Sequence, residues 1–423
     1  MMLAAMVALA APAGSAAASD GRAGAGRGWS GTWATAQQQP RAGNDFQGPN
    51  WSLKGFADES VRQVVRVSAG GSRVRIRLSN LYGTKPLRVA GATIAKAGEG
   101  AALRPGTVRP LTFRRSPSTT IPTGRAATSD AAPLSTAPLE KLTVTLYFAE
   151  PTGAATFHEG GFTTTYRAAG DHRFEGGAEA FAGETSHSWY YLTGVDVAGG
   201  HGRAKGHGRA RGAVVAFGDS ITDGAFSTPN ADNRYPDELA ERLVAAGVPM
   251  GVLNAGINGN MLLTDSPCFA GEKGVTRFQR DVIGQPGVRT VIVLEGINDI
   301  GLGGVDTGCG TPPVMTAEQL IKGHRALIRA AHAHDIKIIG ATVTPVKGNE
   351  YGYDTERNEA VRDALNRWIR HGGEYDAVVD FDRALADPAD PDALLPAYDA
   401  GDHLHPNDAG MKAMAEAIDL DTL

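Results

Sequence analysis

Cysteine is scarce in this chain: two residues, Cys268 and Cys309, among 423. Two thiols cannot by themselves make a structural zinc site, which takes four nitrogen or sulfur ligands. Excess positive charge is also missing. The formal net charge is -5, which leaves no electrostatic footprint for nucleic acid. Beyond the N-terminus no apolar run is long enough to span a bilayer, so no transmembrane segment is expected. A small-molecule or neutral-polymer partner fits this balance better. What remains is ordinary for a globular protein, with 42% hydrophobic and 21% charged residues. A chain of 423 residues exceeds what one hydrophobic core usually serves, so two domains are expected.

The chain opens with an apolar run, residues 1–11, followed by small residues that include Ala16-Ala17-Ala18, an A-x-A cleavage pattern. Residues 1–27 therefore read as a secretory signal and an unstructured N-terminus, although the positive n-region is missing; an Ala-rich tail is the alternative. An oxidising destination would let Cys268 and Cys309 pair, a bond worth roughly 3 to 4 kcal/mol in the chain-entropy model.

Helical periodicity is absent from residues 28–197. Short runs such as SRVRIRLSN and LEKLTVTLYF alternate apolar with polar residues between Gly, Pro and Ser clusters, as half-buried antiparallel strands do. The expectation is an all-β sandwich, jelly-roll-like. Trp29, Trp33, Trp51 and Trp189 fall in this half and read as core aromatics, with sugar stacking the alternative if they are exposed. Residues 198–212, AGGHGRAKGHGRARG, are too rich in glycine and basic side chains to bury a core and read as a linker.

After residue 212 the period changes. Apolar runs at 213–217, 251–255, 290–296, 336–343 and 376–381 read as fully buried strands. Helix-like segments fall between or after them, over 236–246, 276–283, 317–334, 355–371 and 407–418. Strict alternation implies an α/β domain over 213–423 with a five-stranded parallel sheet covered on both faces. The expected architecture is a flavodoxin-like three-layer α/β/α, with strand order 2-1-3-4-5. In such sheets ligands gather outside the carboxyl ends of the strands. AVVAFGDSITDG, residues 213–224, places Ser220 there; Gly256 follows the second strand, Asn298 the third, and Asp402 and His405 precede the last helix.

These blocks, GDSITDG, LNAGINGN, LEGINDIG and GDHLHPND, resemble those of the SGNH hydrolases, the GDSL esterase and lipase superfamily, over roughly residues 213–420. The β-rich first half and phrases such as VIVLEGINDIG are similar to the xylan-esterase-like branch. A feeble hydroxyl nucleophile needs a base to take its proton and a carboxylate to orient that base. Ser220, His405 and Asp402 fill these roles, with His403 as a rival base whose spacing from a carboxylate is wrong. The resemblance assigns the oxyanion hole to the N–H groups of Ser220 and Gly256 and to the Asn298 amide. Asp219 and Asp299 are expected to brace their loops, and Asn258 and Asn260 to line the acyl or alcohol pocket. His324, His332 and His334 read as surface histidines on one helix, not a metal site. Cys268 and Cys309 flank the site, so their disulfide would pin its walls.

The leading expectation is a secreted serine esterase that uses neither metal nor cofactor and acts on a small-molecule ester or an acylated polysaccharide, with acetyl on carbohydrate favoured. A lipase or lysophospholipase on longer chains is the runner-up. A non-catalytic carbohydrate-binding protein is the rival from another class.

Overall fold

The computed structural model describes residues 28–44, 47–199 and 212–423. The expected signal segment and nearly all of the Gly/basic linker lie outside the described residues. No helix among the described residues is long and apolar enough to cross a membrane.

The first half forms two large antiparallel sheets around one shared core, with two further two-stranded pairs, Leu87–Val89 with Thr119–Ile121 and Phe157–His158 with Trp189–Tyr190. Six strands run in the order Thr185–Ser186, Thr165–Ala169, Glu59–Arg66, Lys141–Phe148, Gly91–Lys96, Arg109–Leu111. Four more run Trp29–Ala34, Leu192–Ala198, Arg73–Ser79, Ala126–Thr128. The pleat explains the arrangement in Arg73–Ser79. Val74, Ile76 and Leu78 point into the core, while Arg75 and Arg77 turn to the other face and hold Asp196 at 2.9 and 3.1 Å. Trp33, Trp51 and Trp189 are core residues, Trp33 meeting Trp189 edge-on with ring centroids 4.9 Å apart.

The central strands depart from the half-buried expectation. The buried Arg62 guanidinium donates to the carbonyls of Ala101, His172, Glu175 and Gly177, and sits 3.9 Å from the centre of the Phe181 ring. Those loops cover the outer face of the sheet. Alternating polar residues signalled solvent there, and an intramolecular loop took its place.

The second half is the expected three-layer α/β/α domain. Its parallel sheet runs Gly251–Gly256, Ala213–Gly218, Val288–Leu294, Lys337–Ala341, Ala377–Val379, which is the order 2-1-3-4-5. One buried cluster packs on each face. Three of the longer helices begin at side-chain caps, Thr316 with a capping box to Gln319, Thr355 and Asn407, while Tyr235–Ala245 starts without one, with Pro236 in its first turn. The helix expected over 276–283 is instead Gly274–Phe278 followed by a π-helical turn, Gln279–Ile283. Three helices of one turn, Ser220–Asp223, Ile297–Gly301 and Phe381–Leu385, and a hairpin of Ala386–Asp387 with Asp390–Leu394 were not expected. They are too short to show a period.

The two domains share a polar seam. Gly31 donates to the Pro286 carbonyl at 2.8 Å, Ser68 Oγ accepts from the Val252 N–H at 2.8 Å, and Arg77 donates to Gln285 at 2.8 Å. The strand Trp29–Ala34 thus lies along the edge strand Gly251–Gly256, where an uncovered edge would invite pairing with another chain.

Candidate active site

Five buried residues carry the first strand of the parallel sheet to Gly218, and the chain then turns into the short helix Ser220–Asp223. Asp219 caps that helix, its carboxylate accepting from the Ile221 N–H at 3.0 Å. Ser220 is therefore its first residue, with an N–H that has no acceptor inside the helix. Its Oγ lies 2.8 Å from His405 Nε2, and His405 Nδ1 lies 2.6 Å from Asp402 Oδ2. Asp402 Oδ1 accepts from the Leu404 and His405 N–H groups at 3.0 and 2.9 Å. Burial works against the charge of Asp402, yet its hydrogen bonds from His405 and Leu404 outweigh that and hold the carboxyl below its ordinary value. The rival base is turned elsewhere: His403 Nδ1 pairs with Asp399 at 2.6 Å.

Asn298 is also in place. Its amide is fixed on both sides, Oδ1 accepting from the Tyr353 hydroxyl at 2.6 Å and Nδ2 donating to the Asn260 carbonyl at 2.9 Å. The second Nδ2 hydrogen remains for the cleft that Asn298 lines. Tyr353 is thus a positioning residue that sequence reasoning missed; a tyrosine 55 positions away carries no local signal.

Gly256 departs from its expected role. It ends its strand with its N–H bound to Asn254 Oδ1 at 2.8 Å, and a Cβ there would fall 2.2 Å from the Asp223 nitrogen. Its smallness serves the close approach of strand and helix, and its N–H is already committed. Gly259, three residues later in the same block, lines the cleft beside Ser220 and Asn298, and its N–H makes no hydrogen bond among the described residues. It sits at φ +73°, and a Cβ would meet the Phe269 ring at 2.7 Å. Both glycines stand in LNAGINGN, and only the turn after the strand decides which one faces the site. Asn258 lines the cleft as expected; Asn260 does not, being wholly buried and bonded through its side chain to Arg277, Ala270 and Glu272.

Beneath the site lies a set of buried charges. Arg277, fully enclosed, donates to the carbonyls of Gly218 and Ala255, both at 2.7 Å, to Asn260 Oδ1 at 2.8 Å and to Glu295 at 3.0 Å. Asp299 braces the neighbouring loop, as expected, accepting from the N–H groups of Leu262 and Leu263 at 2.6 and 2.9 Å. Burial pushes the Asp299 carboxyl up to about 7 and raises Asp219 and Glu295 as well. The sign is fixed by linkage. A carboxyl that holds its proton more tightly when folded contributes stability that is complete below its unfolded value, ~4, and is lost as pH rises through the folded value. The melting temperature is accordingly expected to be higher at pH 5.5 than at pH 8.5, and a protein that gains heat stability over that rise contradicts this account of the cluster.

The cleft above the triad encloses about 650 Å³, within the usual range for a small-molecule site. Phe226, Phe269, Leu302 and Leu404 make most of it apolar. Phe226 lies against the His405 ring, centroids 5.1 Å apart. Cys268, on the cleft wall, is disulfide-bonded to Cys309 with Cα atoms 5.8 Å apart, so the two loops are tied together. The sandwich also reaches the site. His158 Nε2 lies 2.9 Å from Asp223 Oδ1 in the helix that begins at Ser220, and His158 Nδ1 lies 2.9 Å from the Ala36 carbonyl. Of the helix histidines, His332 and His334 are exposed, as expected. His324 is not: it is buried against the Tyr375 hydroxyl at 2.6 Å, and burial lowers its pKa to about 4. The helix turns its position 324 inward, which makes it a core histidine.

A serine, an imidazole and a carboxylate in series at the carboxyl end of a parallel sheet, with an oriented amide beside them, define the class of acyl hydrolases with a three-layer α/β fold. Residues 216–413 match the model of the GDSL-like lipase/acylhydrolase family. The C-terminal half of this chain is an SGNH hydrolase domain of that family. Among solved structures it is similar to a GDSL-like lipase from Bacteroides thetaiotaomicron (19% identity over 50% of this chain and 88% of that one, TM-score 0.36). It is similar too to an acetylxylan esterase from Geobacillus stearothermophilus (24% identity over 49% and 92%, TM-score 0.37). No curated protein matches the chain.

Proposed function

We propose that this protein is a secreted serine esterase that cleaves carboxylic esters through an acyl-enzyme, with short acyl groups such as acetyl on carbohydrate as its substrates. The observation that carries the reading is the unbroken series Ser220 Oγ, His405, Asp402, with links of 2.8 and 2.6 Å. His405 takes the Ser220 proton as Oγ attacks the ester carbonyl, and then delivers it to the departing alcohol. Asp402 holds the ring and offsets its positive charge. Water repeats the sequence to release the acid. The developing oxyanion is received by the N–H groups of Ser220 and Gly259 and by the Asn298 amide, donors that usually supply the largest single part of the rate. The signal-like residues 1–27 and the Cys268–Cys309 bond support an oxidising, extracellular address.

The apolar cleft walls favour a second reading, hydrolysis of longer acyl chains. A series of p-nitrophenyl esters from acetyl to palmitoyl, run beside acetylated xylan, separates them: preference for acetyl is expected, and a maximum at long chains removes the acetylesterase version. An organophosphonate is expected to label Ser220, and an unlabelled Ser220 is the result that a purely carbohydrate-binding protein requires. Gly259→Ala is expected to lower kcat by about 10²-fold, because the strained, crowded Cβ displaces an oxyanion donor while the domain stays folded. Full activity in that variant removes Gly259 from the mechanism.

A further inference from the structure

One side of the cleft belongs to the other domain. Arg41 and Gln47, from the sandwich, line it together with the triad and with Asn258 of the hydrolase domain. Arg41 is ion-paired with Glu159, a carboxylate 1% exposed that also accepts from Asn44 Nδ2 at 3.1 Å. The guanidinium charge is thereby neutralised within the sandwich, and its face lies 6.0 Å from the Phe269 ring.

Four polar atoms in this corner have no hydrogen-bond partner among the described residues: Arg41 Nε, Gln47 Nε2, and both Nδ2 and Oδ1 of Asn258. Gln47 and Asn258 are 7% and 8% exposed, so open water does not satisfy them. Buried polar groups are almost always paired, and each one left unpaired costs about 1 to 3 kcal/mol. Three donors and one acceptor without net charge suit hydroxyl groups, which both give and receive hydrogen bonds. They suit a phosphate headgroup badly, because Glu159 already pairs with the Arg41 cation.

We infer that Arg41 and Gln47 of the sandwich, together with Asn258, form the subsite that holds the alcohol half of the ester, and that this alcohol is a neutral polyhydroxyl such as a glycosyl unit. This rests on the esterase reading above and adds to it a role for the first domain. In this arrangement the triad and the Asn298 side of the cleft receive the acyl group, and the sandwich selects the leaving group. Removing the subsite therefore lowers discrimination between alcohols.

The test uses the full chain and two substrates that deliver the same acetyl group, acetylated xylobiose and p-nitrophenyl acetate. For Gln47→Ala and Asn258→Ala the ratio of kcat/KM for the sugar ester to that for the nitrophenyl ester is expected to fall at least tenfold, chiefly through KM for the sugar ester. Free xylobiose is expected to inhibit the parent protein competitively, and each variant at least tenfold more weakly. A ratio that stays within twofold in both variants, or an equal loss on both substrates, overturns the inference. So does tighter inhibition by glycerophosphate than by xylobiose. Should Gln47→Ala fail to fold, Gln47→Leu and the inhibition measurement on Asn258→Asp still decide it. Failure of the esterase reading itself has a different signature, since the parent protein then hydrolyses neither ester and resists phosphonate labelling.

Discussion

Ser220→Ala is expected to lower kcat for ester hydrolysis by about 10⁴ to 10⁶-fold while shifting the melting temperature by only a few degrees. The two halves of this expectation come from the same contact. The Ser220 hydroxyl makes a side-chain hydrogen bond to His405, and a neutral hydrogen bond contributes about 1 kcal/mol to stability. Its reactivity, in contrast, has no substitute in the proposed mechanism, where Oγ alone carries the acyl group. His405→Ala should cost about as much as Ser220→Ala, and the double variant little more, since serine and base act as one unit. Asp402→Asn should cost about 10⁴-fold without moving the backbone: an amide can still accept from the Leu404 and His405 N–H groups, but it cannot hold the tautomer that the serine requires. Steady-state kinetics beside thermal melts separate these outcomes. Losses that add in full across the double variant would falsify the idea of a coupled pair, and a melting temperature that falls with activity would assign Ser220 a structural part.

The series Ser220, His405, Asp402 was legible because its members stand in short local patterns. The strand 213–217 is apolar without interruption, Asp402 and His405 sit three apart, and Asn298 follows a buried run at once. Strand order followed from the alternation of periods, which needs no side-chain detail. Gly256 shows where that reading stops. Two glycines within four residues both permit tight backbone, and only the hydrogen bond from Gly256 to Asn254, formed within the strand end, assigns one to packing and leaves the other to the cleft. Tyr353, Arg41 and Gln47 were illegible for another reason: each reaches the site across a long sequence separation, from a loop with no period and no motif. His324 was misread because a polar residue on an amphipathic helix was taken for its wet face, whereas Tyr375 supplies the partner that lets it lie buried.

Arg277→Met is expected to destabilise the hydrolase domain by about 3 to 5 kcal/mol or more, enough to prevent folding under ordinary growth conditions. Few side chains in this protein join so many separate segments. Its guanidinium closes the carboxyl ends of two adjacent strands by binding the carbonyls of Gly218 and Ala255. It also holds Asn260, whose own carbonyl accepts from the Asn298 amide, so the orientation of that amide depends on Arg277 at one remove. The cation lies 4.0 Å from the centre of the Phe217 ring and faces Glu295, itself fully buried. Removing it leaves two carbonyls without a donor and a carboxyl without its counter-charge, while the methionine fills only part of the space. Arg277→Lys should recover little, because one ammonium cannot reproduce a planar fork that serves five acceptors at once, on Gly218, Ala255, Asn260, Asp281 and Glu295. The paired variant Arg277→Met with Glu295→Gln should be more stable than Arg277→Met alone, since it also removes the uncompensated carboxyl. Denaturant melts of the three variants test this directly. If Arg277→Met melts within about 1 kcal/mol of the parent protein, the guanidinium is not what holds the strand ends, and the orientation of Asn298 must be traced to Tyr353 alone.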